Sequence, residues 1–294
     1  MPHARGALSA ALRELGLQPG AIVMVHASVR AVGEVHGGPD EIHLAVADAV
    51  NPGGTVMMFV GCQDGFDDVG RGIYTPEEEA EILEHQPPFD SRAARASRDF
   101  GILAELFRSF PGTVCSGSVC GRMAARGARA RWLTANQPWN YGFGPGSPLE
   151  KLCKAGGSVL LLGSDHDQVT VLHYAEHVAD FAEKRIARYQ VPVLREGERV
   201  WVECEEFDTG GSGVHPHWPD RFFALIVDDF IARRQGTASC SRGMVGGAAS
   251  VRMDAARLVE HALPIMEEQA RGNRQLDSGP LAAPRAPPAA RRES

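Results

Sequence analysis

The 294-residue chain lacks several features that would each have settled its class. Its six cysteines, Cys62, Cys115, Cys120, Cys153, Cys204 and Cys240, are scattered, and none forms a CxxC pair. That spacing signals neither a zinc knuckle nor a redox pair, so free thiols in a reducing cell are expected. No apolar run approaches the roughly 20 residues that a membrane span needs. The amphipathic N-terminus also lacks the apolar core of a signal peptide, so a cytoplasmic protein with no membrane partner is expected. There is no basic excess either: the net charge is −7 and the pI near 5.9. This argues against nucleic acid as a partner and permits a cationic ligand. The three glycines of residues 27–39 fit neither the dinucleotide fingerprint nor the phosphate-binding P-loop. No internal repeat is visible.

What is present reads as α/β. Residues 21–26 (AIVMVH), 55–60 (TVMMFV) and 159–162 (VLLL) are short unbroken apolar runs. Such runs, with no polar alternation, predict strands buried on both faces. Helices are predicted over residues 7–17, 39–50, 100–110, 221–235 and 253–269, with a short one from Leu149. A strand, loop, helix and strand in sequence make a βαβ-type unit. The fold expected is a mixed, largely parallel buried sheet flanked by helices. A long irregular insertion at residues 61–98 follows the second strand. Residues 188–194 and 199–204 form a hairpin turning at Gly197. A strand is possible within 114–125, and residues 243–251 read as a glycine-rich turn entering a strand. One domain is expected over residues 1–270, with a disordered Pro/Ala/Arg-rich tail at 271–294.

The stretch around which the rest is organised is 158–185. The buried strand ends at Gly163, a polar turn follows, and Asp167 is placed to cap a helix. Val171, Leu172, Ala175, Val178 and Ala179 fall on one side of that helix; Thr170, His173, Glu176, His177 and Asp180 fall on the other. Thr170, His173 and Glu176 would line one groove just beyond a buried strand, where open α/β sheets bind ligands. A polar, solvated helix face is the alternative. Residues 27–39, rich in small side chains, would allow close backbone approach to a phosphate or pantetheine chain, or form a plain surface turn.

Five stretches together resemble the aminoglycoside 3-N-acetyltransferases of the antibiotic NAT family, distinct from the GNAT acetyltransferases. They are VMVHASVRAVGEVHGGP, GPGSP, the run from Leu160 to Arg185 with its T-x-x-H-x-A-E helix, EFDTGG, and the late G-x-VGGA. The resemblance spans roughly residues 7–265. It implies transfer of acetyl from acetyl-CoA, without a metal, to the 3-amino group of the deoxystreptamine ring, conferring antibiotic resistance. It makes His173 the base, Glu176 its support, and Asp167 and Thr170 positioning residues. Acetyl-CoA would lie along His26, Ala27, Ser28, Val29, Arg30, Val32, Gly33, Gly37 and Gly38, near Ser116 and Ser147. Asp64, Glu206 and Asp208 would hold the ammonium groups of a polycationic aminoglycoside through charge-assisted bonds. A monomer or homodimer is expected.

Two departures stand out. Residues 115–119 read Cys-Ser-Gly-Ser-Val where the family usually shows Arg-Ser-x-His-Pro, and Gly61-Cys62 replaces Ser-Trp. They bear on cofactor affinity and substrate range. They also leave open an acetyltransferase of the same fold acting on another amine. A non-catalytic binder of cations, and a zinc hydrolase using His166, Asp167 and His173, are further alternatives from the residues alone.

Overall fold

The computed structural model describes residues 1–62, 69, 74–209 and 213–272. The three apolar runs form strands β1 (Ile22–Ala27), β2 (Thr55–Phe59) and β5 (Ser158–Leu162). They lie side by side and parallel, with β1 between the other two. Antiparallel strands extend the sheet on both sides: β4 (Met123–Gly127) and β3 (Val114–Cys115) beyond β2, β9 (Ala248–Asp254) and β8 (Cys240–Val245) beyond β5. The order is β3-β4-β2-β1-β5-β9-β8. The mixed sheet is thus parallel at its centre and antiparallel towards its edges.

Pleating sorts the apolar side chains into two cores. Val23, Val25, Val56, Met58, Leu160 and Leu162 meet helices α1 (Arg5–Glu14), α3 (Asp40–Val50) and α5 (Ile102–Ser109). Met24, Met57, Val159 and Leu161 point the other way. They are covered by α7 (Pro148–Lys154), α8 (Val171–Val178), α9 (Phe222–Arg234) and α10 (Ala255–Ala270). Each of residues 159–162 is at most 1% exposed. Burial of one such side chain contributes about 1.5–3 kcal/mol, so this strand anchors both layers.

Strands β6 (Ile186–Arg195) and β7 (Glu198–Phe207) form the expected hairpin, a separate two-stranded sheet. It turns at Glu196 and Gly197, both with positive φ. A third, small core of Phe89, Val119, Tyr189, Val191, Val193 and Cys204 lies beneath it. There the thiols of Cys120 and Cys204 approach to 3.4 Å.

Four expectations change. The 27–39 segment is not all loop: Ser28 caps a helical turn, α2 (Val29–Val32), by accepting from Ala31 N. The 61–98 insertion contains helix α4 (Pro76–His85), started by a Thr75/Glu78 capping box. Residues 240–254 make two strands, not one. Residues 130–134 add a short helix, α6 (Ala130–Thr134), not read from the sequence. The tail from residue 273 lies outside the described residues.

Candidate active site

The parallel strands β1 and β5 end together, pairing His26 with Leu161 and Ala27 with Leu162. A cleft of about 570 Å³ opens beyond their C-terminal ends. His26, Ala27, Ser28, Gly163, Asp167, Thr170 and His173 all border it. Gly163 makes the exit from β5 possible. Its φ is +61°, and a Cβ there would sit 2.4 Å from Ala31 Cβ. Only glycine allows both the left-handed backbone and that approach.

Beyond Gly163 the chain does not enter the helix at once. Asp165 caps a 3-10 turn, His166–Gln168, accepting from Asp167 N at 2.9 Å. Asp167 therefore is not the cap of α8. Its carboxylate accepts instead from Ala224 N at 3.1 Å, docking the start of α9. Thr170 stands at the N-cap of α8 without a side-chain cap bond and is 6% exposed.

His173 and Glu176 meet as the spacing predicts. His173 Nδ1 lies 2.6 Å from Glu176 Oε2. The face is not solvated, however: the Glu176 side chain is 2% exposed and that of His173 22%. Val178, expected inward, is 38% exposed. An ionised carboxylate can only accept, so it holds the proton of a neutral imidazole on Nδ1 and leaves the Nε2 lone pair free. The imidazole is clamped between Phe143 and Phe223, each with its ring centroid 4.9 Å away. His173 also borders a second, smaller hollow of about 170 Å³ with Glu176, Thr209, Trp218 and Phe223.

The other expected residues divide. Val29, Arg30, Gly33, Gly37 and Gly38 line a neighbouring cavity of about 710 Å³, separate from the cleft bordered by His26, Ala27 and Ser28. Val32 does not join them, because its side chain is fully buried in the core. Ser116 and Ser147 are also fully buried. Ser116 Oγ accepts from Met123 N inside the β3–β4 connection, and Ser147 caps α7. Neither presents a surface to a ligand. Glu206 is 3% exposed, with Oε1 at 2.8 Å from His177 Nε2, so it does not face solvent as an ammonium-binding carboxylate would. Asp208 follows the end of β7 and is partly exposed. Asp64 lies outside the described residues.

Several cleft residues were not foreseen. Asp99, Phe100 and Gly101 come from the short segment between the insertion and α5, and Asp165 from the turn after β5. Asp99, Asp165 and Asp167 set three carboxylates around the opening. No local pattern in the sequence marks Asp99, since only the return of the chain after the insertion brings it there. His26 is a special case. Its Nε2 is buried without a hydrogen-bond partner among the described residues. Burial, and then the charge of nearby His173, push its pKa down to about 4. A neutral imidazole thus sits beside the candidate base.

The three residues of the zinc alternative each engage a separate partner. His166 bonds Asp228 at 2.6 Å, Asp167 takes an α9 amide, and His173 takes Glu176. Among the described residues no cluster of three or more His, Cys, Asp or Glu could hold an ion. A half-buried imidazole with a carboxylate on one nitrogen and a cleft before it has the geometry that a general base needs.

The chain is similar to known proteins over most of its length. Residues 24–267 match the family described as aminoglycoside 3-N-acetyltransferase. The chain belongs to this family. It is 41% identical over 275 residues to aminoglycoside N(3)-acetyltransferase III of Pseudomonas aeruginosa, covering 92% of this chain and 95% of that one. It is 36% identical over 273 residues to aminoglycoside N(3)-acetyltransferase VII of Streptomyces paromomycinus, covering 91% and 93%. Among solved structures, AAC-IIIb in a binary complex with CoASH superposes with a TM-score of 0.84 at 42% identity, covering 92% of this chain and 98% of that one. AAC-VIa bound to sisomicin gives 0.82 at 35%, covering 92% and 99%. As a member of this acyltransferase family, the chain has its likeness to these enzymes along nearly its whole length, including the cleft, the hairpin and α8.

Proposed function

We propose that this enzyme transfers acetyl from acetyl-CoA to the 3-amino group of an aminoglycoside's deoxystreptamine ring, with His173 as general base. The observation that carries this reading is the His173–Glu176 pair, held rigid at the strand ends with Nε2 of His173 left as the acceptor. A relative carries CoASH, and another carries sisomicin.

An ammonium group cannot attack a thioester; the neutral amine can. As the amine nitrogen bonds to the thioester carbonyl carbon, its proton passes to His173 Nε2. Buried Glu176 stabilises the imidazolium that forms. The tetrahedral intermediate then collapses, the carbon–sulfur bond breaks, and the departing CoA thiolate takes up the proton. The products are the amide and free CoA thiol. CoA lies along the cavity of Val29, Arg30, Gly33, Gly37 and Gly38, its thioester end reaching the cleft past Ser28. Asp99 and Asp167, with Asp165 shared with Arg221, border that cleft and give it a negative field suited to a polycation. Neutralising the 3-amino group by acylation is the basis of resistance, and the enzyme acts in the cytoplasm, where acetyl-CoA is available.

Thiol release from acetyl-CoA against a panel of aminoglycosides tests the reaction. Susceptibility of cells expressing the chain tests the resistance role. Turnover with a simple polyamine but with no aminoglycoside would assign the same chemistry to another amine.

A further inference from the structure

One turn beyond His173 a second imidazole, that of His177, meets a second carboxylate, that of Glu206. Their side chains are 3% and 4% exposed. The peptide oxygen of His173, 2.7 Å from His177 Nδ1, can only accept, so Nδ1 carries a proton. The peptide N–H of Phe207 can only donate, and it donates to Glu206 Oε1 at 2.9 Å. That same Oε1 faces His177 Nε2 at 2.8 Å. The proton between them sits either on Nε2, facing a carboxylate, or on Oε1, which can accept from Phe207 and still donate to the ring. In either form the contact is a hydrogen bond closed off from water, and breaking it strands buried polar atoms.

The pair joins two parts of the molecule that the sequence keeps 29 residues apart. His177 belongs to the helix of the candidate base. Glu206 sits at the end of β7, two residues before Asp208 and three before Thr209, which borders the hollow beside His173. The surroundings hold the pair still. Phe207 and Tyr141 flank the imidazole at 4.6 and 6.2 Å, and Gly144 lies against it so closely that an added Cβ would come within 2.7 Å of Cδ2. The ionisable neighbours are Lys184, whose Nζ donates to the His177 carbonyl at 3.1 Å, Tyr141, His173 with Glu176, and Cys120.

We propose that His177 and Glu206 are a positioning pair for the transfer reaction: a buried imidazole–carboxyl hydrogen bond fastens the acidic end of the hairpin to the catalytic helix and so sets the acceptor's loop against His173. The proposal rests on the acetyl-transfer reading for its effect on turnover, but not for the bond itself. It assigns Glu206 to His177 rather than to the ligand.

Steady-state kinetics with acetyl-CoA and an aminoglycoside, on His177→Asn, Glu206→Leu and the double variant, test it. Asn keeps the donor to the His173 carbonyl and loses Glu206. Each single change is expected to raise the aminoglycoside KM and lower kcat, together about 10-fold or more in kcat/KM, with the acetyl-CoA KM held within about twofold. The double variant should be no worse than the worse single one, because both remove the same bond. His177→Gln, which keeps a donor towards Glu206, should recover much of the loss. Additive effects, or a Glu206→Leu defect with an inert His177→Asn, would overturn the pairing and return Glu206 to the ligand. Should the variants not fold, nitrogen-15 NMR of the unaltered protein decides: a His177 Nε2 resonance showing a hydrogen bond, as donor or as acceptor, is expected, and an Nε2 with the shift of a free ring nitrogen overturns the proposal. Wild-type protein inactive on every aminoglycoside, yet showing the hydrogen-bonded ring, would defeat the acetyl-transfer reading and leave the bond standing.

Discussion

Glu176 Oε2 stands 2.6 Å from His173 Nδ1, and the cleft opens on the ring these two residues share. His173→Ala removes the proton acceptor and should cost about 10²-fold or more in turnover with folding intact. Glu176→Gln keeps the shape and removes the charge that stabilises the imidazolium. It should lower kcat more than it changes acetyl-CoA affinity. Thiol-release kinetics, with circular dichroism as the folding control, check both; near-full activity in His173→Ala would sink the assignment.

His26 predicts a pH dependence of stability. Its pKa is depressed to about 4 in the folded protein, against about 6.5 for an ordinary histidine. Between those values the unfolded chain binds more protons than the native one, so stability rises with pH. The contribution is complete above about pH 6.5 and is lost as the pH falls towards 4. At about 1.4 kcal/mol per tenfold change in proton affinity, its ceiling is about 3 kcal/mol. Denaturant midpoints from pH 4 to 7 should show a steeper fall for the parent than for His26→Gln; parallel curves would refute it.

Arg122 is fully buried and ties the insertion to the sheet. Its guanidinium donates to Ser91 O at 2.7 Å and Ala94 O at 2.8 Å, and more weakly to Gly61 O and Arg95 O. Arg122→Met should orphan those carbonyls, at about 1–3 kcal/mol for each that water cannot reach. Residues 91–95 should loosen, and with them the approach of Asp99 to the cleft. Limited trypsin digestion at Arg92 and Arg95, faster in the variant before global unfolding, checks this. An unchanged digestion pattern would remove the strap role.

Gly37 bears on the cofactor. Its φ is +92°, and an added Cβ would lie 2.9 Å from Glu41 Cγ. Gly37→Val strains the backbone and intrudes on the cavity assigned to CoA. The acetyl-CoA KM should rise about 10-fold, while the aminoglycoside KM changes little. Calorimetry giving the parent's CoA affinity would move the cofactor elsewhere.

Much of this was legible in the chain itself. Unbroken apolar runs located β1, β2 and β5, because strands buried on both faces leave no polar alternation. The i, i+3 spacing brought His173 to Glu176, since one helical turn does so in any setting. What it could not give was the environment of that face: Thr209, Trp218 and the start of α9, which gather around Glu176, are contributed from far along the chain. The same limit hid the His177–Glu206 contact and the burial of Ser116 and Ser147. Arg122 looks like a surface residue until four peptide oxygens surround it. Helix α4, by contrast, had a readable signal in Thr75-Pro76-Glu77-Glu78, a capping box with proline at the first turn.

The hairpin stands apart from the seven-stranded sheet, sharing no ladder with it. The berth proposed for the donor is built from β1, α2 and the turn after β5, all rooted in the main cores. The wall proposed for the acceptor is borrowed from the hairpin and an inserted segment with a small core of their own. Under that proposal, selection can rework which amines are accepted by altering the hairpin, while the machinery that delivers the acyl group stays as it was.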